Sequence, residues 1–139
     1  MIKLFILNFP VIITFIFFAG CGGNNSNEKK QLNNGELYYN NSVTQSMVDS
    51  LGNYINQCEI FTGGINKGKI VKNDSTYELS LSVPQDKLND STYLDFTGIL
   101  ATQLSEDVFH NAPVNVNLTD SSFNVKVTKS GAPGRQLNN

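Results

Sequence analysis

The sequence predicts an α+β fold: a two-layer sandwich in α-β-β-α-β-β order, with two helices on one face of an antiparallel four-stranded sheet. Three observations lead there. Two segments, near positions 43–58 and 93–108, carry apolar residues at three- and four-residue steps. Each is followed by stretches in which every second residue is apolar, the mark of a half-buried strand. Between polar ends lie about 90 residues, enough for one small core without metal or disulfide.

Ser42-Val43-Thr44-Gln45 has capping-box spacing, with Ser42 as the cap and Gln45 reaching back to it. Val43, Met47, Leu51, Tyr54, Ile55 and Cys58 then form one stripe. Thr62-Gly63-Gly64 closes this segment. Lys69 to Lys72 reads as a short strand and Asn73-Asp74-Ser75 as a turn. Tyr77, Leu79, Leu81 and Val83 alternate with Glu78, Ser80 and Ser82 until Pro84 stops the strand.

The second helix starts at Asp90 or Ser91. Its stripe is Tyr93, Phe96, Leu100, Leu104 and Val108, with Leu94, Ile99, Ala101 and Phe109 at the margins. Gly98 costs about 1 kcal/mol relative to Ala inside a helix, which predicts a closely approaching neighbour there. Asn111-Ala112-Pro113 ends the helix. Val114, Val116 and Leu118, then Phe123, Val125 and Val127, alternate on either side of a hairpin connection at Thr119–Ser122. One α-β-β unit used twice suggests duplication. The globular domain is thereby expected over 42–129.

The ends read differently. Met1-Ile2-Lys3 carries one positive charge, Leu4 to Phe18 is apolar apart from Asn8, Pro10 and Thr14, and Phe18-Ala19-Gly20-Cys21 follows. This is the pattern of a signal peptide over residues 1–20, with small residues before the cut. A retained membrane helix needs roughly 20 apolar residues, and this stretch is shorter and contains Pro10. The Phe-Ala-Gly-Cys ending resembles the lipobox of bacterial lipoproteins, with Phe18 where Leu is usual. That resemblance implies cleavage between Gly20 and Cys21, a diacylglyceryl group on the Cys21 thiol and an acylated amine. It implies a lipid-anchored protein of the bacterial cell envelope. Gly22, where an Asp favours inner-membrane retention in some bacteria, points to the outer membrane.

Residues 21–41, rich in Gly, Asn and Ser, read as a tether of roughly 25 Å, with Leu37, Tyr38 and Tyr39 able to pack back as a short edge strand. Residues 130–139 hold no pattern and are expected to be a disordered tail.

Without Lys3 the chain keeps nine Lys and Arg against twelve Asp and Glu. No basic stripe suited to phosphates is present, so nucleic acid is not an expected partner. One His, His110, and one further Cys, Cys58, leave no spacing for a zinc site, and no cofactor is expected. A Cys58–His110 nucleophilic pair is formally possible. Against it, a Cys on a buried stripe behaves as a small hydrophobe, and a His at a helix C-terminus suits the dipole. Glu106-Asp107 and the Asp86/Asp90 pair read as solvated carboxylates, and Gly63, Gly64 and Gly68 as turn residues.

Asp49-Ser50-Leu51, Asp74-Ser75-Thr76 and Asp90-Ser91-Thr92 resemble the tripeptide at which Bacteroidetes attach O-glycans to exported proteins. That resemblance would place sugars on Ser50, Ser75 and Ser91, although turn formation and helix capping also account for the last two sequences. The domain loosely resembles small uncharacterised α+β envelope modules. The functional expectation is a non-enzymatic envelope lipoprotein, held at the membrane by lipid, that binds a protein or envelope component. A small periplasmic hydrolase or hydrolase inhibitor is the alternative. The expected binding surface is the open sheet face, with Ser80, Ser82, Asn115, Asn117, Asn124, Lys126 and Thr128.

Overall fold

A computed structural model describes residues 27–132. The elements are β1 (Glu28–Leu32), β2 (Gly35–Tyr39), α1 (Gln45–Gln57), β3 (Lys67–Asn73), β4 (Thr76–Ser82), a 3-10 turn (Gln85–Lys87), α2 (Ser91–Asp107), β5 (Val114–Thr119) and β6 (Val125–Gly131). The expected four-stranded antiparallel sheet in α-β-β-α-β-β order is therefore incorrect. The sheet has six strands in the order β1-β2-β3-β4-β5-β6, and it is mixed. Hairpins β1–β2, β3–β4 and β5–β6 are antiparallel. β2–β3 and β4–β5 are parallel, joined across α1 and α2.

The added strands come from the segment expected to be a tether. Only Leu32 of β1 is buried, and the inward-facing Lys30 lies alongside α1, where its ammonium meets Asp49 at 2.9 Å. An inward lysine with its stem on a helix and its charge on a partner hides the usual alternation. β2 sits inside the sheet, not at its edge, and buries Leu37 and Tyr39. The strands thus reach from Glu28 in β1 to Gly131 in β6, past the expected limits of 42 and 129.

Cross-strand register defines the inner face. Leu37, Gly68, Leu81 and Leu118 lie in one row, and Tyr39, Ile70, Leu79 and Val116 in the next. Both helices cover this face. A Cβ on Gly52 of α1 would contact Lys30 and Leu32, and one on Gly131 of β6 would strike the backbone of Ala101 and Thr102. Because β2 and β3 run opposite to β4 and β5, helices on one face give the two crossovers opposite hands. Right-handed crossovers are nearly universal, so one of these is the rare kind.

α1 begins at Gln45 behind Thr44, whose hydroxyl accepts the Met47 N–H at 3.3 Å. Ser42, expected to cap it, instead accepts the Lys72 N–H at 2.9 Å. α2 starts as expected, with Asp90 accepting the Thr92 N–H at 2.9 Å. Phe109 is fully buried and stacks on Tyr77 with 4.2 Å between ring centroids. A bulge at Leu118/Thr119 pairs Leu118 with Val127 but Thr119 with Val125. Val125 therefore turns to the outer face and is 52% exposed, where simple alternation puts it inside.

Candidate functional site

The end of α1 and the first turns of α2 enclose a cleft. α1 stops at Gln57, and Glu59 reverses the chain with φ 51°. The Cys58 N–H bonds Tyr54 O at 2.9 Å and the Ile60 N–H bonds Ile55 O at 3.0 Å, satisfying the last carbonyls of the helix. That reversal folds Ile60 and Phe61 back under the helix, both 3% exposed. Gly63 and Gly64 follow with φ of 61° and 94°, a conformation that suits glycine. The Tyr93 hydroxyl donates to Gly63 O at 3.2 Å and pins this loop to α2.

The resulting cleft holds about 310 Å³ and is lined by Cys58, Glu59, Ile60, Thr62, Ile65, Thr92, Tyr93 and Phe96. Ile60 and Ile65 form a buried apolar floor, while Phe96 stands 37% exposed at the rim. Thr62, Thr92 and Glu59 supply the polar edge, and the Lys87 ammonium lies 5.6 Å from the Tyr93 ring centre. One turn before Cys58, Tyr54 donates to Gln103 Oε1 at 3.4 Å across the two helices. Its hydroxyl is pushed up to about 12, first by burial, then by the neighbouring Cys58 and Asp107.

An apolar floor with a few polar groups at the rim suits an apolar side chain or acyl group. Among the described residues, no group of three or more His, Cys, Asp or Glu side chains converges to hold a metal. Among the same residues, no helix is long and apolar enough to cross a membrane.

Cys58, expected to be buried, is exposed. The buried stripe of α1 is Val48, Leu51, Gly52 and Ile55, and the helix ends one residue before Cys58. His110 lies beyond α2 with φ 52°, exposed, and does not line the cleft, so the structure does not bring it to Cys58 there. Asp90 is the α2 cap, and Asp86, Glu106 and Asp107 are exposed. Gly68 is an interior strand residue, its open side filled by Phe61 and Leu37. Ser50 lies exposed on α1 beside an Asp49 engaged by Lys30; Ser75 is in the exposed β3–β4 turn; Ser91 opens α2. Gly20 and Cys21 lie outside the described residues.

The open sheet face is only partly exposed. Ser82 and Asn117 are buried there, Ser80 and Asn115 half-buried, and Asn124, Lys126 and Thr128 exposed. Thr128 donates to Asn117 at 2.7 Å, Ser130 to Asn115 at 2.8 Å, and Asn124 to Asp120 at 3.0 Å. The β5–β6 loop folds across this face and sets Phe123 edge-on against Tyr38, 5.8 Å between centroids. Sequence reasoning missed Ile60 and Ile65. The available signal was two isoleucines flanking Gly63-Gly64, a turn that has to cover something apolar.

Fold and cleft together define a small two-layer α+β domain with an apolar opening at one end of its helices. The AF_1994_N family model, described as a family N-terminal domain, matches residues 29–130, which takes in nearly the whole sheet and both helices. The chain belongs to that family. No curated protein matches the chain. No solved structure does either.

Proposed function

We propose that this chain is a non-enzymatic, lipid-anchored lipoprotein of the bacterial envelope whose domain binds an apolar group of a protein or envelope component in the α1–α2 cleft. Cys21 is the proposed lipid carrier, and the outer membrane the proposed site. The observation that carries the binding role is the cleft itself: buried Ile60 and Ile65 beneath a rim aromatic, Phe96, that is left in solvent. Exposed aromatics over apolar pockets are the residues on which interfaces concentrate their energy. The lipid role is supported by the Phe18-Ala19-Gly20-Cys21 ending alone.

Two experiments test the halves separately. Cys21→Ser should release the protein from the membrane fraction, and intact mass of the mature chain should begin at a modified Cys21. A bare thiol, or another N-terminus, removes the anchor. Crosslinked complexes captured from solubilised membranes should lose their partner on Phe96→Asp. Retention of the same partner at the same yield removes the cleft as the binding site.

A further inference from the structure

β4 and β5 are parallel neighbours that end together, Ser82 beside Thr119. From there the chain leaves in opposite directions. β4 feeds the 3-10 turn and α2 on the covered face, and the β5–β6 loop folds over the open one. In open sheets, ligands collect in the crevice outside the carboxyl ends of strands whose connections part in this way. A crevice of about 360 Å³ lies there, lined by Gly64, Ser82, Val83, Pro84, Gln85, Asp120 and Ser121. It shares no lining residue with the α1–α2 cleft. Gly131 closes β6 at the other end of the sheet, and Glu28 lies in the far edge strand.

Two polar groups in the crevice have bonding capacity left over. Ser82 is only 9% exposed, yet its side chain has no hydrogen-bond partner among the described residues. No side-chain polar atom that is wholly enclosed lacks a partner, so the Ser82 hydroxyl keeps an opening, and the crevice is what it lines. Asp120 accepts the Ser122 and Asn124 N–H groups on Oδ1, both at 2.9 Å, and the Asn124 side chain on Oδ2 at 3.0 Å. A carboxylate has about four acceptor positions, so one on Oδ2 remains. The Lys126 ammonium stands 3.9 Å from that oxygen and offsets its charge.

We propose that this crevice binds a neutral sugar residue, its hydroxyls on Ser82, Gln85, Asp120 and Ser121 and its C–H face on Pro84. Serine hydroxyls and the glutamine amide both donate and accept, as sugar hydroxyls do, and the spare Asp120 position takes a donor. A peptide backbone would instead seek a free strand edge, and β4 and β5 are both interior strands. An anion would face the Asp120 carboxylate, whose cation is already engaged.

Amide NMR of the isotope-labelled full chain in a sugar-free zwitterionic detergent tests this. Glucose, galactose, mannose and N-acetylglucosamine are each titrated to about 50 mM, with tetra-alanine and glucuronate as the peptide and anionic probes. At least one neutral sugar should give saturable shifts centred on Ser82, Gln85 and Ser121, with a Kd of about 1–20 mM. Ser82→Ala should raise that Kd about three- to tenfold, the worth of one hydrogen bond. Gln85→Ala, at an exposed position, should weaken binding in the same sense and carries the test if the Ser82 variant misfolds. The proposal is overturned if none of the four sugars saturates, or if affinity is indifferent to both substitutions. Tetra-alanine or glucuronate saturating the same amides more tightly than every sugar overturns it too. The crevice and the α1–α2 cleft have separate linings, so failure here leaves the cleft reading standing, and the Phe96 experiment fails independently of this one.

Discussion

Two glycines touch the course of α2, and one methyl group added at each should move stability in opposite directions. Gly131 closes β6 beneath the helix, where a Cβ would lie 2.3 Å from both Ala101 C and Thr102 N and 2.5 Å from Ala101 O. Carbon contacts relax at about 3.5–4.0 Å, so α2 would have to retreat by more than about 1 Å. The obstacle is backbone, which cannot rotate away as a side chain can. Overpacking ordinarily costs about 1–3 kcal/mol, and Gly131→Ala belongs at the upper end or beyond. Gly98→Ala meets open space and removes the helix penalty of glycine, a gain of about 1 kcal/mol. Since 1 kcal/mol shifts the melting midpoint by about 4–8 °C in a domain this size, the two variants should separate by well over 10 °C. Urea and thermal unfolding at low micromolar protein measure this. A Gly131→Ala protein as stable as the parent would show that α2 is not seated on β6 as described. A destabilised Gly98→Ala protein would show that the outer side of α2 is not open.

Other expectations concern titration and access. Tyr54, pushed up to about 12 from an ordinary 10.0, contributes stability that is intact below the ordinary value and lost as pH rises toward the folded one. Ultraviolet absorbance should show a late-ionising tyrosine that Tyr54→Phe removes; superimposable titrations contradict this. Asp120 moves the other way. The Asn124 N–H, the Asn124 side chain, the Ser122 N–H and Lys126 hold its carboxyl below 3.8, so its contribution is present above that value and lost as pH falls through the lower one. Asp120→Asn should flatten the acid limb of the stability profile and speed amide exchange around Phe123, and unchanged exchange refutes its role in holding the loop. Cys58, exposed at the cleft, should react with a maleimide without unfolding, and a ligand bound in the cleft should slow that reaction. A thiol unreactive until denaturation contradicts the exposed position.

Much of the interior was legible from periodicity: the start of α2, the β4 alternation from Tyr77 to Leu81, and the Val114–Leu118 strand all follow the pattern of their apolar residues. What escaped has identifiable causes. β1 points Glu28, Lys30 and Leu32 inward, and one apolar residue in three is no pattern; the Asn33-Asn34-Gly35 turn was the better clue. The bulge at Leu118/Thr119 reverses the facing of Val125 without any trace in local composition. Parallel pairing of β2 with β3 and of β4 with β5 depends on where each helix returns the chain. With opposite crossover hands, the usual handedness rule would have placed the helices on opposite faces. The cleft was hidden for a related reason, because Ile60 and Ile65 sit in a loop and carry no periodicity.

The early start of β1 bears on the geometry of the proposed attachment. Seven residue steps join Cys21 to Glu28, and a fully extended chain of that length covers at most about 25 Å. With Cys21 lipidated as proposed, the sheet cannot stand off on a long stalk. Under that proposal the end of the domain bearing Asn27, Asn40, Asn41, Lys69 and Lys72 would lie beside the headgroups. β1 and β2 run from that end to the Leu32–Gly35 turn, which adjoins Phe61 and Asn66 and hence the loop that forms the cleft. A lipid on Cys21 would thereby aim the opening away from the bilayer, toward whatever passes through the aqueous compartment.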